Sequence, residues 1–399
     1  MKYCFADLHI HVGATEGGKW IKIPTSRRLT VRNICEHSSR QKGMDVVGIV
    51  DAMSPLVLED LNSLLAEGLL QELPGGGYQY KQSLTVLLGT EIETIEPQGG
   101  MAHTLLFLPD IAAMRRLSNY MSQFIKNINL SAQNAHMPLN QLIDIAVSFE
   151  AMIVPAHIFT PYKSMYGVCA RRIRALLTEK NMRKLSAVEL GLSADSDLAD
   201  RIGELSSYTF LTNSDAHSLD KIAREYTLFS VEQANFQEIH QAMRRQRGRE
   251  VIANYGLNPR LGKYHRTLCE KCGHTEQTEK IVSAGVCVNC GSNKVVTGVL
   301  DRINDIADYA APIHPAHRAP YYYQVPLEFI SGLGKKGMGK LLDLFGTEMN
   351  VLHRANAADL RQAVGDRIAD GILSARSGTA IIQSGGGGVY GKVINKVDK

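Results

Sequence analysis

The sequence has no long hydrophobic run and almost no excess of one charge. No stretch reaches the roughly 18 uncharged apolar residues of a membrane-spanning helix, so we expect no contact with a membrane. A net charge of +4 over 399 residues is too small to indicate a polyanionic partner by itself. The start, MKYCFADLHIHVG, turns polar too early for a signal peptide, which favours a cytoplasmic protein. The 44% hydrophobic and 21% charged residues are typical of a folded globular chain.

Cysteine is scarce, but four of the seven cysteines form two close pairs. The paired residues are Cys269, Cys272, Cys287 and Cys290. Two Cys-x2-Cys pairs at this separation predict a zinc ribbon, in which four thiolates complete a closed structural site. The alternative is two disulfides or free thiols. Cys4, Cys35 and Cys169 have no evident partner, and we expect them to be small buried hydrophobes.

Positive charge is concentrated just before the cysteine pairs. From Arg244 to Lys271 a series of arginines and lysines is opposed only by Glu250 and Glu270. Such a cluster predicts contacts with phosphate groups. The alternative is a solvated helix end followed by a linker.

The first 250 or so residues alternate short apolar runs with longer helical patterns. The runs predict strands at residues 3–8, 46–50, 84–88, 104–108, 151–155, 187–190, 209–212 and 227–231. The helical patterns cover residues 31–42, 56–70, 139–149, 171–181 and 235–245. This alternation indicates an α/β fold with a mostly parallel sheet. In barrels of this class, functional side chains gather at the C-terminal ends of the strands.

Side chains that can bind metal follow five of these predicted strands. They are Asp7, His9, His11, Asp51, Glu91, His157, Asp215 and His217. One such residue is often a helix cap, but capping alone does not explain five strand ends. Imidazole and carboxylate groups together favour borderline to hard divalent metals. Two ions about 3.5–4 Å apart suit an in-line phosphoryl displacement.

The same residues carry a resemblance to a known family. Asp-x-His-x-His at residues 7–11 and Asp-x-His at residues 215–217, with Glu91 and His157, resemble the motifs of the PHP (polymerase and histidinol phosphatase) metallo-phosphoesterases. The resemblance covers roughly residues 1–250. It implies a distorted PHP-type (β/α)7 barrel that holds two or three divalent metals, with zinc, manganese and magnesium as the candidates.

One departure from the family bears on the metal count. The family commonly has a histidine after the aspartate of the second motif, where this sequence has Ala52, and Asp51 is left as the expected ligand. His103 and His136 compete for a further family histidine, and we favour His103 because it is closer to a predicted strand. Asp7 is expected to orient His9 or His11 without binding the metal itself. Asp195 is a candidate ligand or proton shuttle, with a helix cap as the alternative.

The C-terminal part resembles a tandem helix-hairpin-helix domain. The segments ISGLGKKGMGKLLDLFGT and AVGDRIADGIL match its two hairpins, with helices expected at residues 326–330, 337–345, 357–363 and 367–377. The resemblance implies contacts with DNA phosphates at Gly332, Gly334, Lys335, Lys336 and Gly365. Glycine permits the tight turn, and the amides of the following helix suit an anion. A helical bundle with glycine turns is the alternative.

The order of the modules predicts four parts. They are a PHP-like nuclease domain at 1–255, a zinc ribbon at 256–300, a linker at 301–325, and the helix-hairpin-helix domain with the tail at 326–399. Within the linker, the three tyrosines of APYYYQVP are expected to pack between domains, with stacking on a base as the alternative. In this order the chain resembles the endonuclease Q family of DNA repair nucleases.

That resemblance implies an activity and its partners. The expected reaction is hydrolysis, by metal-activated water, of the phosphodiester 5′ of deaminated bases (uracil, hypoxanthine and xanthine) and of abasic sites. The expected partner is damaged double- or single-stranded DNA, which implies association with the nucleoid; a contact with a processivity factor stays open. Trp20, Arg27 and Arg28, after the first motif, are expected to form a wall of the lesion pocket. The alternatives are a PHP-type small-molecule phosphatase and a non-catalytic DNA-binding scaffold.

Overall fold

The structure is a computed structural model of the whole chain, and it describes residues 1–275, 282–283, 286–378, 381–383 and 392–394. Part of the predicted ribbon and most of the glycine-rich tail at 384–399 lie outside the described residues. No helix within the described ranges combines the length and the apolar character that crossing a bilayer requires.

Seven strands form the barrel that carries the site. They are β1 (Lys2–Ile10), β2 (Val46–Ile49), β3 (Leu84–Ile95), β4 (Met101–Leu108), β5 (Met152–Pro155), β6 (Val188–Glu189) and β7 (Phe210–Leu211). Strands β1, β2 and β3 pair in parallel, whereas β4 is antiparallel to both of its neighbours. Strands β6 and β7 are parallel. The antiparallel β4 is the main departure from a regular (β/α) barrel.

Backbone hydrogen bonds close this sheet where the ladders stop. Ser186 N donates to Ile153 O at 2.8 Å, which links β5 to the segment that enters β6. Ala216 N donates to His9 O at 3.1 Å, and His11 N donates to Ala216 O at 3.2 Å, so the segment after β7 returns to β1. The barrel is therefore continuous, and the residues after β1 and β7 are brought side by side.

The strand pattern of the sequence is confirmed, and part of the helix pattern is corrected. Helices lie at Val31–His37, Pro55–Ala66, Ile111–Met121, Leu139–Ser148 and Phe236–Met243. The first continues as a π-helical turn, Ser38–Lys42, and the second ends before Gly68, which has a φ of 70°. The predicted helix at 171–181 is wrong. Only a 3-10 turn, Ile173–Ala175, and a short helix, Glu179–Met182, are found there.

Tertiary contacts explain why the predicted helix at 171–181 does not form. Arg171 Nη1 donates to Asp305 Oδ2 at 2.6 Å, and Arg172 Nη1 donates to Ile306 O at 2.7 Å. Both partners belong to a helix, Val299–Ile306, that is distant in sequence. These contacts hold the arginines in an extended segment, and local helix propensity is a weak prior against them.

Three further strands extend the sheet beside β1. Tyr226–Val231 (β8) is antiparallel to β1, Glu250–Gly256 (β9) is antiparallel to β8, and Tyr321–Tyr323 (β10) is parallel to β9. A separate hairpin, Leu70–Glu72 with Tyr78–Tyr80, adds to the edge of β3. The segment 301–325, predicted as a linker, thus contains most of one helix and an added strand. Two of its tyrosines pack between modules, as favoured: Tyr321 OH donates to Leu257 O, and Tyr323 OH to Asp195 Oδ2. Tyr322 is 50% exposed.

The C-terminal module is helical and packs on the barrel. A 3-10 turn, Leu327–Phe329, stands where a lead helix was predicted. The helices are Lys335–Phe345, Glu348–His353, Ala357–Val364 and Asp366–Arg376. Gly332 and Gly365 have φ values of 84° and 80°, which other residues rarely adopt. The ring of His353 stacks on Phe5 with centroids 4.7 Å apart, which fixes the module against β1.

Candidate metal centre

Two buried histidines at the end of β1 begin the site. His9 Nδ1 is 3.0 Å from Glu189 Oε1, and His11 Nδ1 is 3.1 Å from Asp51 Oδ2. The two Nε2 atoms lie 3.3 Å apart. A carboxylate on Nδ1 places the ring proton there and leaves the Nε2 lone pair free for a metal. The pair therefore presents two oriented donor atoms to one point.

Asp215 completes a first donor cluster with His9 and His11, whose ligand atoms lie within 4.8 Å of one another. Its Oδ1 is 3.6 Å from His9 Nε2 and 3.5 Å from His11 Nε2. Burial opposes ionisation, but these imidazoles hold the pKa of Asp215 well below its usual range. Its φ of 46° is a left-handed backbone conformation, one that aspartate adopts more readily than most residues. His217 lies next to the cluster, with its ring 4.9 Å from that of His11.

Glu91, His103 and His157 form a second donor cluster. Glu91 Oε1 is 2.7 Å from His103 Nδ1 and 3.3 Å from His157 Nε2. Glu91 also approaches the first cluster, since its Oε2 is 3.5 Å from His11 Nε2. The two oxygens of this carboxylate thus lie against donor atoms of both clusters.

The chemistry of these donors fits divalent metals. Asp51 Oδ1 is buried and has no hydrogen-bond partner among the described residues. Each cluster supplies three N or O donors, which leaves coordination positions open as in catalytic sites. His9, His11 and Asp215 would hold one ion, and Glu91, His103 and His157 a second.

Two of the predicted site residues have other surroundings. Asp7 accepts from Ser214 N at 3.0 Å and from Ala223 N at 2.9 Å, so it fixes the backbone that carries Asp215, and its carboxylate does not contact an imidazole of the first motif. Asp195 accepts from Leu198 N as a helix cap and from Tyr323 OH, and it belongs to neither cluster. Its predicted role as a ligand or proton shuttle is therefore replaced by the capping alternative.

The structure distinguishes the two histidines that were candidates for the further family position. His103 lies on β4 inside the second cluster. His136 is exposed and lies outside both clusters. Ala52 is buried beside Asp51 and offers no donor, as the sequence indicated.

Two functional side chains were missed from the sequence. Glu189 accepts hydrogen bonds from Asn213 Nδ2 and from His157 N, both at 2.8 Å, in addition to holding His9. It is the last residue of β6 and lies one residue before the end of the predicted strand at 187–190, so the strand-end signal was available. Lys22 lies in the loop after β1 and contacts both clusters, and no sequence pattern marked it.

The loop at residues 13–30 forms part of a cavity beside the clusters. Arg27 lies over the ring of Trp20, 4.7 Å from its centroid, and Trp20 is 39% exposed. A Cβ at Gly13 would lie 2.0 Å from Ser26 O, so the loop is closed tightly at its base. The cavity, about 530 Å³, is lined by Pro24 of this loop and by residues of both clusters.

The four paired cysteines lie together away from the barrel centre. Cys269 Sγ is 3.6 Å from Cys290 Sγ, and Cys272 Sγ is 3.7 Å from Cys287 Sγ. A disulfide requires about 2.05 Å, so the disulfide alternative is not found. All four sulfurs lie within 4.8 Å of one another, as a tetrahedral zinc site needs.

The basic run has a structural role that the sequence did not indicate. Arg244 donates to the carbonyls of Leu185 and Arg183, and Arg245 donates to Thr209 Oγ1 at 2.6 Å. These partners precede β6 and β7, at the end of the barrel opposite the two donor clusters. The predicted phosphate contacts therefore do not apply to these two guanidinium groups, which tie segments of the barrel together.

Comparison with known proteins now identifies the family. No family model matches the sequence. The chain is 43% identical over 396 residues to the uncharacterized protein YqxK of Bacillus subtilis, covering 98% of this chain and all of YqxK. The structure matches that of the lesion-specific endonuclease PfuEndoQ of Pyrococcus furiosus with a TM-score of 0.84 and 30% identity, over 98% of this chain and 95% of that one. The chain belongs to the endonuclease Q family.

A second endonuclease Q structure supports the assignment. It is a complex with a 27-mer duplex substrate that has an abasic lesion at the active site, and it matches with a TM-score of 0.85 and 30% identity, over 99% of this chain and 97% of that one. The chain also shares 37% identity over 259 residues with protein MJ0043 of Methanocaldococcus jannaschii, over 60% of this chain and 32% of that protein. The endonuclease Q assignment confirms the family that the sequence resembled.

Proposed function

We propose that this endonuclease Q hydrolyses the phosphodiester 5′ of deaminated bases and of abasic sites in DNA. The observation that carries the proposal is the position of two three-donor clusters beside one open cavity. The abasic duplex in the solved endonuclease Q complex supports the abasic part. Uracil, hypoxanthine and xanthine extend it, because each has a carbonyl where the undamaged base has an amino group.

The cavity suits an extruded nucleotide. Its lining includes His157 and Asp215 of the two clusters together with Lys263 and Tyr264. Extruding a base costs a few kcal/mol, and less when the base is damaged or weakly paired. A damaged nucleotide therefore reaches this cavity more easily than a normal one. Arg27 lies over the ring of Trp20 in the loop that contributes Pro24 to this cavity, although neither residue is part of the lining itself.

The bound ions and the side chains of the site would have different roles in the reaction. When bound, divalent ions supply Lewis-acid stabilisation of the phosphoryl oxygens and activate a water. The chain holds the donors in place before substrate arrives: Glu189 orients His9, Asp51 orients His11, and Glu91 joins the clusters. Such preorganised charge is the largest single source of rate enhancement in many enzymes.

The helical module supplies a second surface for DNA. The helix Lys335–Phe345 follows Gly334, and Asp366–Arg376 follows Gly365, and neither has a side-chain cap. Their first amides can therefore bind phosphate oxygens. Lys335 and Lys336 are exposed at the first of these turns, where they add positive charge.

The test is a cleavage map. Labelled 30-mer duplexes with a single uracil, hypoxanthine, xanthine or abasic site, each paired with an undamaged control, are incubated with the protein and Mn²⁺. We expect a nick directly 5′ of each lesion and none in the controls. Release of inorganic phosphate from monoesters without nicking would instead indicate a small-molecule phosphatase.

A change at the helical module should alter DNA affinity without altering lesion choice. For Lys335→Ala with Lys336→Ala we expect weaker binding to all duplexes alike, because phosphate contacts carry no sequence information. Losing two phosphate contacts should reduce the slope of log K against log salt by about two units. Fluorescence anisotropy at several salt concentrations measures this slope.

The matched control is Lys180→Ala with Lys184→Ala. These two lysines are also exposed, and replacing them removes the same amount of charge. They precede β6 and lie toward the end of the barrel opposite the donor clusters. Equal slope changes in both double variants would show a general charge effect and would contradict the hairpin contact.

A further inference from the structure

A turn with an apolar tip lies beside the metal centre, in the loop that follows β1. Thr25 N donates to Lys22 O at 3.2 Å, which places Ile23 and Pro24 at the two central positions of the turn. Ile23 is 69% exposed, and no large apolar side chain in the described ranges exceeds that value. A single exposed apolar side chain is ordinary on a protein surface, so its rigidity and position decide whether it has a role.

The turn is anchored at both ends. Before it, Ser131 N donates to Ile21 O at 2.9 Å. After it, Ser26 N donates to His217 O at 2.9 Å, which ties the turn to the segment that carries the first donor cluster. The ring of Pro24 also fixes one backbone dihedral within the turn. The apolar tip is therefore a rigid projection of the loop.

The turn has a fixed position relative to the site. At its first residue, Lys22 Nζ lies 3.3 Å from Glu91 Oε2 of the second cluster. Pro24 lines the cavity beside the clusters. Ile23 lies between these two residues in the chain but is not part of the lining, so its side chain projects to solvent at the rim of the cavity. A duplex that delivers a nucleotide into this cavity has to lie against that rim.

The charge of the loop complements DNA. From residue 17 to residue 35 the sequence has five cations and no carboxylate side chain. Lys19 precedes the tip, Arg27 and Arg28 follow it, and all three are exposed. Cations of this kind attract the phosphates of a DNA backbone. The apolar tip between them offers nothing to a phosphate, and its chemistry matches the interior of the base stack instead.

We propose that Ile23, supported by Pro24, is a wedge that enters the base stack beside the damaged nucleotide and keeps that nucleotide extruded. Isoleucine and proline are among the residues that proteins insert between base steps. An apolar side chain in the gap replaces part of the stacking that the extruded base loses, so it lowers the cost of extrusion. The inference rests on the proposed function, because it names the residue that delivers a paired lesion to the same cavity.

Single-turnover cleavage of two substrates tests the wedge. In the first, one uracil is paired within a labelled 30-mer duplex. In the second, the same uracil is an unpaired bulge and needs no extrusion from a base pair. We expect Ile23→Ala to cut the paired uracil about tenfold more slowly or worse and the bulged uracil at the wild-type rate, because only the paired lesion has to be unstacked. Ile23→Leu retains an apolar side chain of the same size and should cut both like the wild type.

Ile313→Ala is the matched control. Ile313 is also exposed, at 57%, and its backbone N donates to Asp200 O, outside the loop. This variant should cut both substrates at the wild-type rate. Equal slowing of both substrates by Ile23→Ala would show a general effect on the site and would overturn the wedge, as would unchanged cleavage of the paired uracil.

Fluorescence reports the insertion without cleavage. 2-Aminopurine placed next to the uracil brightens when it is unstacked, and the binding protein is Asp215→Asn, in which the first cluster lacks its carboxylate. We expect brightening with Asp215→Asn and much less when Ile23→Ala is added. Equal brightening by both proteins, or none with Asp215→Asn alone, would contradict the wedge. A wild type that cuts none of the lesion duplexes would instead contradict the proposed function, and the fluorescence comparison would still decide on Ile23.

Discussion

Asp215→Asn is expected to lower the rate of lesion cleavage by about 10³-fold or more while DNA affinity changes little. Asp215 Oδ1 lies within 3.6 Å of the Nε2 atoms of His9 and His11, so its charge is central to the first cluster. The amide of asparagine keeps the shape but provides a much weaker metal ligand. Asparagine also tolerates the φ of 46° at this position, so a loss of activity is not expected to come from misfolding.

Two measurements distinguish a loss of the chemical step from a loss of DNA binding. Single-turnover cleavage of an abasic duplex reports the chemistry, and anisotropy with the same duplex reports binding. Manganese per chain should fall by about one ion, since the first cluster loses its only carboxylate. Asp197→Asn is the control, because Asp197 is an exposed aspartate that pairs with His314 and lies in neither cluster. Full cleavage by Asp215→Asn would contradict the assignment of the metal centre.

The sequence predicted the barrel well because its strands are short, apolar and buried on both sides. Each of the eight expected strands is present, and the metal-binding side chains at the ends of the predicted strands converge. The convergence could be anticipated from strand order, because C-terminal strand ends share one face of a barrel. The antiparallel direction of β4 could not be anticipated, because an apolar run does not indicate whether its strand is parallel or antiparallel to its neighbours.

The remaining site residues depend on contacts between distant segments. Asp195 fits a helix cap and a metal ligand equally well in sequence, and only Tyr323 from β10 and the amide of Leu198 show which role applies. Lys22 gave no signal, because a lysine in a polar loop is usually solvated. Its burial results from how the loop closes at Gly13.

The second large effect concerns the cysteine module. Its two turns are closed by Gly273 N, which donates to Cys269 O at 2.9 Å, and by Gly291 N, which donates to Cys287 O at 2.8 Å. The described strands of the module are two residues long, so metal binding has to supply most of its folding energy. Structural zinc contributes about 10–16 kcal/mol in small zinc modules at neutral pH.

Cys269→Ser is therefore expected to lose one zinc per chain and to unfold the module while the barrel keeps its structure. Tyr264 lines the cavity just before the module, and its ring packs on Tyr162 with centroids 5.5 Å apart. Tyr162 OH in turn donates to Glu270 of the module at 3.1 Å. Loss of the module should release this wall, and we expect lesion cleavage to fall about tenfold or more through weaker substrate binding.

This expectation is tested by zinc analysis, by limited proteolysis and by separate measurement of kcat and KM. The proteolytic site should move to residues 260–300, and KM should rise more than kcat falls. His274→Ala is the matched control, because His274 is exposed beside Cys272 and is not among the four clustered ligands. That variant should keep its zinc and its cleavage rate. A Cys269→Ser protein with full zinc and ordinary protease resistance would show that the four sulfurs do not hold a structural metal.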